Sequence, residues 1–242
     1  MLANNEFGTI QPIRELAAIA RQHNVLFHTD AVQGMGKIEV DVQDLGVDLL
    51  SISAHKMYGP KGIGGLYIKK EVAIAPLIQG GGQELGLRSG TENVPAIIGF
   101  GRACELAGQR FQSCATKETG ALRDYLFEKI LQQIPETQRN GSVKSCLPNT
   151  LNITLPSIRG ESLVLLLDRK GISLSAGSAC KSGNAEPSHA LLALGLSTDE
   201  AHCTVRFSLG VSTSKEDIDY TAAALAELYS NKLGVIRFVP CR

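Results

Sequence analysis

The chain has 242 residues, 43% of them hydrophobic and 20% charged, and its 24 basic and 24 acidic side chains cancel to a net charge of zero. That length can bury a core in one large domain or two small ones, and the composition excludes a disordered chain. Zero net charge removes any long-range pull toward nucleic acid or an anionic membrane, so neither is expected as a partner.

Met1 to Asn5 reads as the end of a strand, which suggests that the chain is a piece of something larger. From Pro12 to His23, apolar residues at Ile13, Leu16, Ala17, Ile19 and Ala20 keep helical spacing, with proline at the entry where its missing N–H costs nothing. Short buried strands are predicted over 25–28, 47–53 and 65–68. Strands alternating with helices predict an α/β fold with a mostly parallel sheet. Ligands of such sheets bind beyond the carboxyl ends of strands, where Asp30 and the Ser53–Lys56 segment fall. A glycine-rich loop over 80–93 follows, and Pro95 opens another helix.

A long amphipathic helix is predicted over 116–134, near a boundary that divides the chain into a large domain, 1–112, and a smaller α/β domain, 113–242. In the second, strands are expected over 151–155, 172–175 and 204–209. Helices are expected over 161–170, from Pro187, and over 215–233. The longest aliphatic run, Leu163 to Leu167, is far too short to span a bilayer. Six scattered cysteines without a Cys-x-x-Cys pair argue against a zinc ribbon, an iron–sulfur ligand run or a secreted disulfide scaffold. No metal site is expected, and a reducing cytoplasm is the expected compartment.

Three segments carry chemistry: His28-Thr29-Asp30-Ala31-Val32-Gln33, Ser51-Ile52-Ser53-Ala54-His55-Lys56, and Ser175-Ala176-Gly177-Ser178-Ala179-Cys180. A lysine after Ser-x-Ala-His, one strand beyond an aspartate that ends the preceding strand, suits a pyridoxal phosphate pocket. The amine condenses with the cofactor aldehyde, and the aspartate keeps the pyridine nitrogen protonated so that the ring draws electrons. Neighbouring hydroxyl and imidazole groups can donate to the phosphate. Gly62-x-Gly64-Gly65 reads as a turn, because no Gly-Lys-Ser/Thr ending follows it. Cys180 lies between Gly177 and Gly183 in a serine-rich loop, where a thiol would be exposed and able to reach a substrate. His189 and His202 sit in no base–nucleophile arrangement and read as structural.

These motifs, with Asn4-Asn5-Glu6-x-Gly8, Arg88-Ser89-Gly90-Thr91-Glu92-Asn93 and Arg206-Phe207-Ser208-Leu209-Gly210, are collinear with one family. The chain resembles the carboxyl-terminal part of a cysteine desulfurase, in the class V branch of fold-type I pyridoxal 5'-phosphate enzymes. The resemblance implies that L-cysteine becomes L-alanine, leaving a persulfide whose sulfur feeds iron–sulfur cluster or thio-cofactor assembly. It implies that Lys56 holds the cofactor covalently, Asp30 pairs with the pyridine nitrogen and Gln33 contacts the phenolic oxygen. Ser53 and His55 would bind the phosphate, and His55 counts with Lys56 and Cys180 among the catalytic residues. Thr91 would reach the phosphate of a neighbouring subunit, implying a homodimer. Arg206 would clamp the substrate carboxylate, assisted by Asn5, which also belongs to the cofactor-binding set. Cys180 would be the nucleophile, on a long loop that hands sulfur to an acceptor or scaffold protein.

The resemblance also implies a preceding segment with an Ala-Thr phosphate-binding turn and a histidine stacked on the cofactor ring, neither of which has a counterpart here. Selenocysteine lyase and an inactive dimerising fragment are the alternatives. A metal hydrolase built on His28, Asp30 and His55 is a poorer reading, since no carboxylate–histidine helix motif supports it.

Overall fold

A computed structural model describes residues 1–177 and 186–235, and these fall into two compact units. The first comprises Met1–Ala3 and Gln11–Cys114, and the second comprises Asn4–Ile10 and Ala115 onward. The units divide between Cys114 and Ala115, and Asn4–Ile10 packs with the second unit rather than with the residues around it.

In the first unit the order is α1 (Ile13–Gln22), β1 (His28–Asp30), α2 (Val42–Leu45), β2 (Leu49–Ser53), β3 (Gly64–Ile68) and α3 (Val94–Gln112). Its sheet runs β1-β2-β3. The expected parallel pairing is that of β1 with β2, with Asp30 opposite Ser51, while β3 runs antiparallel to β2. Leu2, Ile13, Ala17, Ala31, Val47 and Leu50 form the core between α1 and the sheet. The first strand starts three residues later than predicted. Asn24 takes a positive φ, the Val25 N–H closes onto the Ala20 carbonyl, and Val25 and Leu26 remain exposed. That apolar pair is therefore the exit of α1, not a buried strand. Pro95 does stand in the first turn of α3, capped by Asn93, whose Oδ1 accepts from the Ala96 N–H at 3.2 Å.

The second unit contains α4 (Ala115–Gln133), β4 (Gln138–Arg139), β5 (Thr150–Thr154) and α5 (Gly160–Asp168), followed by β6 (Ser175–Ala176), α6 (His189–Ala193), α7 (Thr198–His202), β7 (Thr204–Ser208) and α8 (Lys215–Val235). Its sheet, β4-β5-β7-β6, is antiparallel throughout. The strand predicted over 172–175 shrinks to Ser175–Ala176, because Ile172 N–H bonds back to the Leu167 carbonyl and completes the end of α5. Both long strands alternate. Leu151 and Ile153 with Val205 and Phe207 face an apolar core shared with Leu126, Ile130, Leu163, Leu167 and Leu225.

The opposite face carries Thr150, Asn152, Thr154, Thr204 and Arg206, and its first four residues are buried too. Asn4–Ile10 lies over that face. Gly8 has φ +76°, and a Cβ there would come within 3.0 Å of the Thr150 Cβ, so both the turn and the close approach require glycine. Among the described residues no helix is long and apolar enough to cross a membrane.

Leu163 on α5 is fully buried in the second unit's core. Leu163→Ala is expected to lower the unfolding free energy by about 2–5 kcal/mol, measured by urea denaturation. A loss under about 1 kcal/mol would mean that this helix does not pack as described.

Candidate functional site

In the first unit, the parallel pairing of β1 and β2 carries Asp30 and Ser53 to neighbouring carboxyl ends. Asp30 Oδ1 accepts from the Val32 N–H at 2.8 Å, which starts the turn holding Gln33. Two residues before Asp30 on β1, His28 has its Nε2 2.8 Å from Ser51 Oγ. Beyond Ser53 the chain makes a single 3-10 turn, Ala54–Met57. Ala54 and Met57 are buried while His55 and Lys56 face outward and are exposed. Tyr58 ends the turn at φ +70°, and Gly59 packs so tightly on Ala54 that a Cβ would lie 2.9 Å from that methyl. The turn thus presents an imidazole and an amine side by side. Ser53 Oγ and His55 Nδ1 are 2.8 Å apart.

The structure therefore gathers Asp30, Ser53, His55 and Lys56 at one end of the first sheet. Gln33 follows in the turn after β1, half-buried. Thr91 stands on an exposed loop just before α3. The second unit brings Arg206 and Asn5 together. Arg206, in the middle of β7, donates from Nη1 to the Asn5 carbonyl at 2.6 Å and from Nη2 to Ser175 Oγ at 3.1 Å. Cys180 lies outside the described residues. His189 opens α6 and His202 closes α7. Among the described residues no group of three or more histidine, cysteine, aspartate or glutamate side chains could hold a metal ion.

Two features escape the motif reading. Lys37 Nζ donates to the Gln33 carbonyl at 3.0 Å. Burial first, and the positive charge of Lys56 second, lower the Lys37 ammonium from its ordinary 10.5 to about 8. Its only sequence signal is its place one helical turn beyond Gln33. The other feature is Cys146, whose sulfur accepts from Arg123 Nη1 at 3.1 Å and Arg139 Nη2 at 3.4 Å, while both guanidiniums also bind Asp124. No sequence spacing links these residues.

The aminotransferase class-V family model matches residues 1–221. A cysteine desulfurase IscS of Dictyoglomus turgidum is 50% identical over 228 residues, covering 94% of this chain and 58% of its own length. A cysteine desulfurase IscS of Clostridium botulinum is 47% identical over 234 residues, 96% of this chain and 59% of its length. Among solved structures, a NifS-like protein from Rickettsia africae superposes with a TM-score of 0.86 at 35% identity, over 95% of this chain and 60% of that one. A structure described as SspA in complex with cysteine matches with a TM-score of 0.69 at 40% identity, over 86% and 57%. The chain thus spans less than two thirds of the length of these relatives.

Because the folded pKa of Lys37, about 8, lies below the ordinary 10.5, the unfolded chain binds the extra proton between those values. The penalty is complete below pH 8 and fades as pH rises to 10.5. It amounts to about 3 kcal/mol at most. Lys37→Met is expected to raise the urea midpoint at neutral pH, with the gap to wild type closing over that window. A gap that is flat with pH would mean that Lys37 is not a buried cation.

Proposed function

The chain belongs to the class V aminotransferase family, and from that membership we propose that the protein is a pyridoxal phosphate-dependent cysteine desulfurase acting on L-cysteine. The observation that carries this reading is the donor set at the shared end of β1 and β2. Its chemistry fits the cofactor group by group: a carboxylate for a protonated ring nitrogen, a hydroxyl and an imidazole for a phosphate, and an outward amine for an aldehyde. The identity to desulfurases, and the cysteine bound in one related structure, support the substrate class.

In this reading Asp30, Gln33, Ser53, His55 and Lys56 hold the cofactor, Asn5 belongs to the same binding set, and Thr91 serves the phosphate of a second subunit in a homodimer. When bound, the cofactor would supply an electron sink that acidifies the substrate α-carbon and weakens the bond between the β-carbon and sulfur. Lys56 moves the proton at that carbon. Arg206 binds the substrate carboxylate through its planar donors, because a fork of N–H groups matches two carboxylate oxygens as a lysine would not. Cys180 attacks the substrate sulfur, so an S–S bond forms as the C–S bond breaks. The carbon that loses sulfur gains a proton, L-alanine leaves, and Cys180 keeps the persulfide. A cytoplasmic sulfur-acceptor protein then takes the sulfur for iron–sulfur cluster or thio-cofactor assembly.

Incubation with pyridoxal phosphate followed by borohydride reduction and peptide mapping is expected to mark Lys56. Labelling of another lysine, or of none, overturns the assignment. Cys180→Ala is expected to abolish persulfide while leaving the reduced adduct on Lys56, and persulfide made without Cys180 would refute its role. Arg206→Lys is expected to raise KM for L-cysteine about tenfold or more, since the bidentate pair is lost.

A further inference from the structure

Asn152 and Arg206 are register partners on adjacent strands, so their side chains leave the same face of the sheet. Both reach the same short segment. Arg206 Nη1 donates to the Asn5 carbonyl at 2.6 Å, and Asn152 Nδ2 donates to the Glu6 carbonyl at 3.2 Å. Successive carbonyls of an extended chain point opposite ways and could not both be gripped from one surface. Here the segment is folded by Asn4, whose Oδ1 accepts from the Glu6 N–H at 2.8 Å and the Phe7 N–H at 3.1 Å.

The orientation of the Asn152 amide is dictated from its other side. Asn140 Nδ2 donates to Asn152 Oδ1 at 2.7 Å, and also to Thr154 Oγ1 at 2.9 Å. With its oxygen committed to a donor, the NH2 of Asn152 faces Glu6. Only 2% of Asn152 is exposed, so an unmet donor there would have no water to replace its partner.

We propose that Asn152 is a positioning residue for the carboxylate clamp: by fixing the Glu6 carbonyl it holds the Asn5 main chain where Arg206 meets it, so that the guanidinium is oriented before substrate arrives. The inference rests on the proposed role of Arg206. A guanidinium already held needs no ordering on binding, and the effect therefore falls on substrate affinity more than on turnover.

Asn152→Leu removes the donor at similar volume. Ile153→Val is the control: it trims a fully buried side chain on the opposite, apolar face of the same strand and leaves the polar row intact. Amide hydrogen exchange of the full chain is expected to speed up about tenfold at Glu6, Phe7 and Gly8 in Asn152→Leu but not in Ile153→Val. With pyridoxal phosphate and L-cysteine, KM is expected to rise about tenfold with kcat within about twofold. Should the leucine variant not fold, Asn152→Ser, which is too short to span to the Glu6 carbonyl, carries the same expectations. Unchanged exchange at these amides, or unchanged KM in a variant that melts lower, overturns the proposal. A wild-type chain that turns over no L-cysteine, or an Arg206→Lys variant with unaltered KM, counts instead against the proposed function. Exchange alone then decides the grip of Asn152.

Discussion

The parallel pairing of β1 with β2 is the constraint on which the candidate site depends. Parallel neighbours end at the same edge of a sheet, so a carboxylate that closes β1 and a hydroxyl that closes β2 emerge together. Reversing either strand would send Asp30 and Ser53 to opposite edges. The 3-10 turn after β2 then adds His55 and Lys56 within a few residues, and its buried Ala54 and Met57 decide which way the two polar side chains point. The local turn, not a long helix, sets the geometry of the amine.

That arrangement was legible in the sequence because each part is short-range. Asp30 ends a strand, Ser53 ends the next, and Lys56 follows within one turn. The polar face of the second sheet was not legible. Thr150-Leu151-Asn152-Ile153-Thr154 and Thr204-Val205-Arg206-Phe207-Ser208 alternate as strands with one wet face would. Burial of that face comes from Asn4–Ile10, which lies far away in sequence and which chain order assigns to the wrong unit. Boundaries failed where apolar residues close a helix, as at Val25 and Ile172, since a backbone bond to the preceding turn competes with strand pairing. The one-turn helices α2 and α7 offer too few residues for periodicity. Their signals lie at their ends, Asp41 and the left-handed Gly46 for α2 and the Ser197–Glu200 capping box for α7.

Two cations share the first unit's site, and their roles differ by burial. Lys56 is exposed, whereas Lys37 is half-buried and bonded to the Gln33 carbonyl. Its charge opposes folding at neutral pH, a cost that a purely structural turn would avoid with an apolar residue. Its place one turn beyond Gln33, with Lys56 near enough for the two charges to repel, ties that cost to the end of the sheet where Lys56 stands.

The second unit carries a similar tension in its buried polar row. Asn140, Asn152, Thr154 and Thr204 satisfy one another through bonds of 2.7–2.9 Å, and Thr204 Oγ1 reaches the Glu200 carbonyl as well. A row of leucine and valine would pack there without any demand for pairing, and a half-satisfied row would be worse than either. What an apolar row could not supply is direction. Each hydrogen bond fixes the next amide, and the chain of fixed groups ends at the peptide carbonyl beside the one that holds Arg206. Packing alone leaves a guanidinium free to choose among rotamers, while a carbonyl at 2.6 Å and a hydroxyl at 3.1 Å leave it one. The polar face of this sheet is thus a device for aiming a single arginine, and the sequence alternation that builds it is the same alternation that hides it.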